Sequence, residues 1–138
     1  MRSSAVSSQP LVNEQKPHEQ QKFRKLIVWK KAMDFVSQIY ELTRQFPAEE
    51  RYGLTSRLRR AALSIPLNIA EGSGASSDIE FRRFLTPASS SHYELMCGIE
   101  IASQLGYCLS AEKERILSES DEMAARLHGL KRRLAHRS

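Results

Sequence analysis

The sequence predicts an all-α protein, an antiparallel up-and-down four-helix bundle, and three observations support this prediction. Apolar residues recur at helical spacing in four segments, turn residues separate the segments, and the connections are short. Short connections make successive helices antiparallel neighbours. A content of 41% apolar, 27% charged and 7% aromatic residues, with six glycines, is also unlike that of a turn-rich β fold.

The N-terminal segment, residues 1–22, consists mostly of Ser, Gln, Glu and Pro and has few apolar side chains. Such a segment cannot bury enough apolar surface to offset the entropy lost on ordering. We therefore predict a disordered tail over residues 1–22. The remaining residues, 23–138, are enough for one domain with its own core, which we predict to be the bundle.

Helix one is predicted to end at Phe46, because the ring of Pro47 restricts the preceding residue and removes a backbone donor. Phe35, Leu42 and Phe46 form a second apolar side, which predicts contacts between subunits of a homo-oligomer. The side predicted to face the core comprises Trp29, Ala32, Met33, Val36, Ile39, Tyr40 and Thr43.

Helix two is predicted from Leu54 to Gly72, with its apolar residues again three and four apart. Pro66 lies inside this segment. A proline within a helix removes one backbone hydrogen bond and clashes with a carbonyl one turn earlier, so we predict a kink there. The alternative is that Pro66 separates two short helices.

Helix three is predicted to begin after Ser77, which has Glu80 three residues later in the spacing of a capping box. Pro87 is a second internal breaker, and Gly106 suits the end of the helix. Ser110 is predicted to cap helix four. The predicted seam of that helix is Ile116, Ser120, Met123, Leu127, Leu130 and Leu134.

Composition excludes some classes of site. Cys97 and Cys108 lack the spacing of a metal or redox pair, so we expect them to be small buried hydrophobic residues. We expect no cofactor and no metal.

No stretch approaches the roughly 20 apolar residues of a membrane span, and the N-terminus lacks the apolar core of a secretory signal. We therefore expect a cytoplasmic protein with no membrane partner.

Two clusters of basic residues stand out in a chain of formal net charge +5. No acidic residue lies between Arg51 and Ala70, and none follows Glu122. Clustered cations suit phosphate contacts, which supply affinity without reading bases. The alternative is a solvated basic surface. The predicted nucleic-acid-binding residues are Arg57, Arg59 and Arg60 in helix two, and Lys131, Arg132, Arg133 and Arg137 in helix four.

A polar stripe on helix two predicts a structural network. Ser64, Asn68 and Glu71 are separated by three or four residues and share one face with Arg57. This stripe faces solvent, lies at a subunit contact or joins an internal network with groups such as Glu94. We predict the last of these as the role of Ser64, Asn68, Glu71 and Glu94.

Catalytic motifs are absent from the sequence, which favours a binding module over an enzyme. The best candidate is His92, near Ser91 and Glu94, but a single histidine on an apolar face is usually a hydrogen-bonded core residue. The HEPN ribonucleases are a further comparison, with Arg followed after four to six residues by His. Arg132 and Arg133 lie too close to His136 to match.

A series of motifs carries a resemblance to one family. They are Lys25-Leu26-Ile27-Val28-Trp29, Phe46-Pro47, Glu50-Arg51-Tyr52-Gly53-Leu54, Leu58-Arg59-Arg60-Ala61-Ala62 and, most specific, Ser64-Ile65-Pro66-Leu67-Asn68-Ile69-Ala70-Glu71-Gly72. From about Phe23 to Leu130 the chain resembles the four-helix bundle proteins encoded by intervening sequences of 23S rRNA genes. That family is related to the accessory variability determinant of diversity-generating retroelements.

The resemblance implies a homopentamer with a basic surface that binds RNA or DNA and, through the retroelement members, an accessory role beside a reverse transcriptase. At three places the chain departs from the family pattern, and these departures change where the basic residues lie. Arg57 stands where the family usually has Gln, Ala75-Ser76 replaces a basic pair, and Pro87, Ser90 and His92 alter helix three. The predicted function is therefore a non-enzymatic homo-oligomeric module that binds nucleic acid with little sequence specificity. The alternatives are a protein-only scaffold and a ribonuclease-like enzyme.

Overall fold

The computed structural model describes His18 and residues 21–137. This part of the chain contains four α-helices and no strand. Most of the predicted disordered tail, residues 1–22, lies outside the described residues; only His18, Gln21 and Lys22 lie within them. Short 3-10 turns occupy Lys22–Lys25 and Ala48–Glu50. The helices are α1, Ile27–Thr43; α2, Leu54–Ser73; α3, Asp78–Gln104; and α4, Ser110–Arg137.

Side-chain pairs between the helices fix their directions. Lys31 of α1 contacts Glu122 of α4 at 2.7 Å, and Gln45, just beyond α1, contacts Glu112 at 2.9 Å. Residue numbers therefore rise along α1 as they fall along α4. The same reversal relates α2 to α3 through Arg57–Glu94 and Ser64–Ser91, and α3 to α4 through Glu100–Lys113 and Asp78–Arg137. The all-α four-helix prediction is confirmed, and these pairs give the bundle its antiparallel order.

The ends of α3 follow the capping signals in the sequence. Ser77 Oγ accepts a hydrogen bond from the Glu80 N–H at 3.1 Å, which satisfies one free donor of the first turn. At the other end Gly106 has φ of 79°, and the Tyr107 N–H donates to the Ala102 carbonyl at 2.9 Å. This is the Schellman geometry, in which glycine adopts a left-handed conformation without steric cost.

The start of α4 differs from the prediction. Ser110 is the first residue of the helix and not the capping residue before it. The carboxylate of Glu112 instead reaches back and accepts a hydrogen bond from the Leu109 N–H at 2.9 Å. That bond lowers the pKa of Glu112, with a smaller contribution from the Gln45 side chain. Glu112 thus supplies the acidic half of a capping box at this helix.

Both internal prolines lie within continuous helices. Pro66 is buried inside α2, and α3 continues through Pro87. The alternative that Pro66 separates two short helices is therefore wrong, while the kink predicted there stays a prediction. The end of α2 lies one residue beyond the predicted Gly72, with Gly74 following Ser73 as the C-terminal cap.

The side of α1 that faces the core is wider than predicted: apart from Met33, the predicted core residues are buried or partly buried, and the second apolar side is buried as well. Phe35, Leu42 and Phe46, expected at subunit contacts, are at most 8% exposed and belong to the hydrophobic core of the bundle. Met33, expected in the core, is 44% exposed. Because α1 carries apolar residues on two sides, helical spacing alone left its rotation ambiguous. The expectation that this second side forms subunit contacts is wrong.

Helices α2 and α3 approach each other closely at Gly98. A Cβ atom built on Gly98 would lie 2.3 Å from Leu58 Cδ2, and Leu58 is buried. The missing side chain therefore lets the two helices pack at this distance. The cysteines do not share this environment: Cys97 is exposed and Cys108 is partly exposed, so the expectation that both are buried is wrong.

The bundle is closed at the end that carries the α1–α2 and α3–α4 connections. Glu50 accepts hydrogen bonds from the Leu54 N–H at 3.0 Å and from Tyr107 Oη at 2.8 Å. These two bonds, the first being the larger effect, hold the pKa of Glu50 below its usual value. The ring of Tyr107 also lies 5.4 Å from that of Phe46.

Among the described helices, none is long and apolar enough to cross a membrane.

Candidate nucleic-acid interface

The basic cluster of α2, Arg57, Arg59 and Arg60, is largely engaged with the protein itself. Arg57 donates from Nε and Nη2 to Glu94 Oε2 on α3, at 3.1 and 2.9 Å. Both side chains remain substantially exposed, so the pair contributes little to stability. Its main effect is on charge, because the carboxylate neutralises the positive field around Arg57.

Arg59 is bound between α1 and α2. Its Nε donates to Thr43 Oγ1 at 2.7 Å, and its guanidinium carbon lies 4.4 Å from the centre of the Tyr40 ring. Thr43 is buried and donates in turn to the Ile39 carbonyl at 2.7 Å. The planar guanidinium therefore combines a hydrogen bond with a cation–π contact. Arg59 thus links α1 to α2, and these contacts leave its guanidinium poorly placed to bind phosphate.

Arg60 is exposed, and in the described part of the chain its side chain has no acidic partner. It lines an open depression of about 440 Å³ between α2 and α3, together with Arg57, Ser64, Ser91 and Glu94. Glu94 places a negative charge in this depression. Of the three arginines predicted on α2, only Arg60 is available to a phosphate without first breaking an internal contact.

The predicted structural network forms in part. Asn68 Nδ2 donates to Ser64 Oγ at 3.0 Å and to the Ser64 carbonyl at 2.8 Å, and Ser91 Oγ bonds to Ser64 Oγ at 2.8 Å. Glu94 belongs to the ion pair with Arg57. Glu71 is exposed and lies outside the bonds described for this network. Ser91 was missed as a member; its position three residues before Glu94, on the same face of α3, was the available signal.

The basic cluster of α4, Lys131, Arg132, Arg133 and Arg137, is divided between two sides of the helix. Lys131 turns towards α3, with Nζ 3.5 Å from Ser89 Oγ. Arg137 donates to both carboxylate oxygens of Asp78, at 3.1 and 3.2 Å. Arg132 and Arg133 are exposed, and no ion pair or hydrogen bond of either side chain is found with the described residues.

Arg132 and Arg133 border an open depression of about 620 Å³. Its other lining residues are Gly129, His136 and Arg137, and no acidic side chain is among them. The carboxylate of Asp78 is engaged by Arg137, and the chain has no acidic residue after Glu122. Two guanidinium groups with no ion-pair partner among the described residues therefore border the same depression. This is the most strongly cationic place among the predicted residues, and it suits an anion.

His92, the catalytic candidate, lies in a different part of the bundle from its proposed partners. Its imidazole is buried near the Ser120 backbone of α4, with Nε2 lacking a hydrogen-bond partner among the described residues, whereas Ser91 and Glu94 contact α2. Burial lowers the pKa of His92, although Ser120 and Asp121 act in the opposite direction. The three side chains do not converge on a common point, so acid and base work by this group has no geometric support.

Comparison with known proteins places the sequence in a family. The family model described as 23S rRNA-intervening sequence protein matches residues 24–129. The chain belongs to this family. The matched segment covers α1, α2, α3 and most of α4, and it contains Pro66 inside α2 and Gly98, where α2 and α3 pack closely.

A solved structure shares the fold of this family member. It is the crystal structure of a protein of unknown function from the S23 ribosomal protein family of Bacteroides thetaiotaomicron. The two superimpose with a TM-score of 0.68 at 22% sequence identity, covering 76% of this chain and 98% of the other. No curated protein matches the sequence. The family match ends at Gly129, so Arg132, Arg133 and Arg137 lie beyond it.

Proposed function

We propose that this member of the 23S rRNA-intervening sequence protein family is a non-catalytic binding module that contacts RNA or DNA through phosphate. The observation that carries the proposal is the exposed pair Arg132 and Arg133, which has no acidic partner among the described residues and lies over an open depression. Phosphate contacts fix position without reading base sequence, so we expect little sequence specificity.

The family description supports RNA as the first ligand to test, because it names an intervening sequence of 23S rRNA. The formal net charge of +5 adds a long-range attraction for any polyanion. Within the α2 cluster only Arg60 supports the proposal. Arg57 and Arg59 are engaged by Glu94 and Thr43, and a nucleic acid would have to displace those contacts.

A salt titration tests the proposal. A fluorescently labelled RNA and a DNA of the same length are titrated with the full chain at several salt concentrations, and the dissociation constants are measured by anisotropy. The logarithm of the association constant is expected to fall linearly with the logarithm of salt, with a slope near 0.7 per phosphate contacted for a single strand. Absence of binding at about 50 mM salt contradicts the proposal and favours a protein-only scaffold.

The protein-only scaffold is the second candidate, and exposed apolar side chains favour it. Leu105 and Leu109, near the α3–α4 connection, are 52% and 71% exposed, and Leu67 on α2 is 61% exposed. Apolar side chains of this exposure are common where proteins associate. The two candidates differ in their dependence on charge: binding of a protein partner through this surface is expected to survive neutralisation of Arg132 and Arg133.

We also propose self-association, with a homopentamer as the state that the family resemblance implies. With Phe35, Leu42 and Phe46 buried in the core, the support now comes from the exposed leucines of α2 and the α3–α4 connection. Light scattering coupled to gel filtration measures the mass directly. A mass about five times the 15.7 kDa of one chain supports the pentamer, and a monomer at micromolar concentration contradicts it.

An accessory role beside a reverse transcriptase stays a proposal that rests on the resemblance alone. It is tested by co-purification of the chain with such an enzyme encoded in the same genome. Retention of the complex after nuclease treatment supports a direct protein contact. Complete loss of the enzyme after nuclease treatment shows that nucleic acid alone connects the two proteins, which contradicts a direct contact.

A further inference from the structure

The depression beside Arg132 and Arg133 continues into a second one. Between the first turn of α1 and α4 lies a groove of about 390 Å³, and it shares Gly129 and Arg133 with the first depression. The two depressions therefore adjoin at Gly129 and Arg133, and together they are named here the α1–α4 groove. The residues that line only its second part are Lys25, Leu26, Ile27, Val28, Ala125 and Arg126.

From this geometry we infer that the α1–α4 groove binds the backbone of a single-stranded nucleic acid, with Lys25, Arg126 and Arg133 contacting phosphates and Gly129 forming the floor. This inference rests on the proposed function and gives it a place and a ligand class. Lys25 and Arg126 were not among the residues predicted to bind nucleic acid, because in the sequence they are far apart and only the fold brings them to the same groove.

The groove is lined by cations and by no acidic side chain, and Arg137 at one end is paired with Asp78 of α3. Arg126, Arg133 and Arg137 lie along α4 over about 16 Å, at a rise of about 1.5 Å per residue. At about 3.4 Å per stacked nucleotide, that length accommodates a few phosphates. The nearest acidic residue on α4 is Glu122. It is attracted to Arg126, but its carboxylate is bonded to Lys31 at 2.7 Å, and Lys31 contributes more to lowering its pKa than Arg126 does.

Gly129 has no side chain, so the groove is open down to the α4 backbone at this position. Glycine is unfavourable inside a helix, so its presence in α4 calls for a steric reason. Packing does not provide one: a Cβ on Gly129 would find Arg133 Nη1 at 3.9 Å, an ordinary contact, unlike the 2.3 Å clash at Gly98. What the missing side chain at Gly129 provides is an open helix surface beside the Arg133 guanidinium.

The wall of the groove favours a single strand over a duplex. Leu26, Ile27 and Val28 form this wall, and Ile27 is 55% exposed. A single strand presents apolar faces of sugars and bases beside its phosphates, whereas a duplex keeps its base faces stacked inside. An exposed aliphatic side chain between cations therefore matches the single strand. Groove residues after Gly129 lie beyond the family match.

A steric variant tests the groove without changing charge. Gly129→Leu fills the floor, while Ala135→Leu places the same side chain at an exposed position on α4 outside the groove. Affinities of the full chain for labelled 20-nucleotide poly(U) and for a hairpin duplex are measured by anisotropy at low salt. We expect Gly129→Leu to weaken poly(U) binding at least about tenfold, with Ala135→Leu unchanged and the duplex bound more weakly than poly(U) by the wild type.

The outcomes separate the groove from the proposed function. Unchanged poly(U) binding by Gly129→Leu, with loss of binding on neutralising Arg132 and Arg133, overturns the groove and leaves phosphate binding intact. No binding by the wild type overturns both. Equal affinity for the duplex overturns the single-strand assignment.

Circular dichroism detects whether Gly129→Leu misfolds. If it does, a second variant tests the groove. Lys25→Gln with Arg126→Gln removes two charges from the end of the groove remote from Arg132. Its matched control, Arg44→Gln with Arg83→Gln, removes two charges from exposed ion pairs elsewhere. The groove predicts a loss of poly(U) affinity only in the first double variant, and equal losses in the two overturn it.

Discussion

The basic clusters of α2 and α4 are made of the same residue type, but they differ in what surrounds them. On α2, Arg57 meets the carboxylate of Glu94, and Arg59 is held by Thr43 and by the Tyr40 ring. On α4, Arg132 and Arg133 extend over an open groove. Two arginines of the first cluster therefore contact neighbouring helices, whereas two of the second remain available to an outside anion.

This difference shows that the number of basic residues in a segment does not measure how many of them are available to bind an outside anion. Both segments lack acidic residues in the sequence, yet each acquires an acidic neighbour from α3 once the bundle forms, Glu94 beside Arg57 and Asp78 beside Arg137. An arginine that is already bonded must lose that contact before it binds phosphate, and that loss subtracts from affinity. Position in the fold, more than local composition, therefore decides which arginines can serve as ligands.

The largest effect on stability is expected from Gly98→Ala, which tests how tightly the α2–α3 side is packed. The added methyl group meets the buried side chain of Leu58, and overpacking of this kind costs about 1–3 kcal/mol of unfolding free energy. Urea unfolding measures it. Gly129→Ala is the control, and it is expected to stabilise the chain by up to about 1 kcal/mol through helix propensity. Equal stability of the two variants would show that α2 and α3 are not closely packed at Gly98.

A smaller loss, about 1 kcal/mol, is expected from Arg59→Ala. The variant removes the hydrogen bond to Thr43 Oγ1 and the contact with the Tyr40 ring, both of which link α1 to α2. Arg44→Ala, which breaks only an exposed pair with Glu41, is the matched control and is expected to change stability little. Poly(U) affinity is expected to stay unchanged in both, and a selective loss in Arg59→Ala would give Arg59 a role in binding.

The smallest stability change, below about 0.5 kcal/mol, is expected from Glu94→Gln, because exposed ion pairs contribute little. The informative readout is affinity. Removing the carboxylate frees Arg57 and makes the α2–α3 depression more positive, so poly(U) is expected to bind slightly more tightly at low salt. Weaker binding in this variant would mean that the pair between Arg57 and Glu94 supports the nucleic-acid site.

Much of the fold could be predicted from the sequence because its signals are local. The Ser77 cap and the Gly106 stop each depend on a few consecutive residues, and both are found in the structure. The rotation of α1 could not be predicted, since Phe35 and Met33 compete for the core and only the packing of the other helices decides between them.

The candidate site was harder to predict because it depends on contacts between distant parts of the chain. Arg132 and Arg133 were found from charge alone. Arg126 belongs to the same basic run, although it was not among the predicted binding residues. Lys25 was not found, because about one hundred residues separate it from Arg126 and the groove exists only when α1 lies beside α4. The pairing of Arg57 with Glu94 likewise required knowledge of which α3 residue lies opposite it.

The most direct test of the difference between the two clusters removes two positive charges from each and compares the losses of affinity. Arg132→Gln with Arg133→Gln is compared with Arg57→Gln with Arg60→Gln in poly(U) titrations at one low salt concentration, with folding verified by circular dichroism. We predict a loss of affinity of about tenfold or more for the α4 pair and of at most about twofold for the α2 pair. Equal losses, or a larger loss for the α2 pair, would contradict the account.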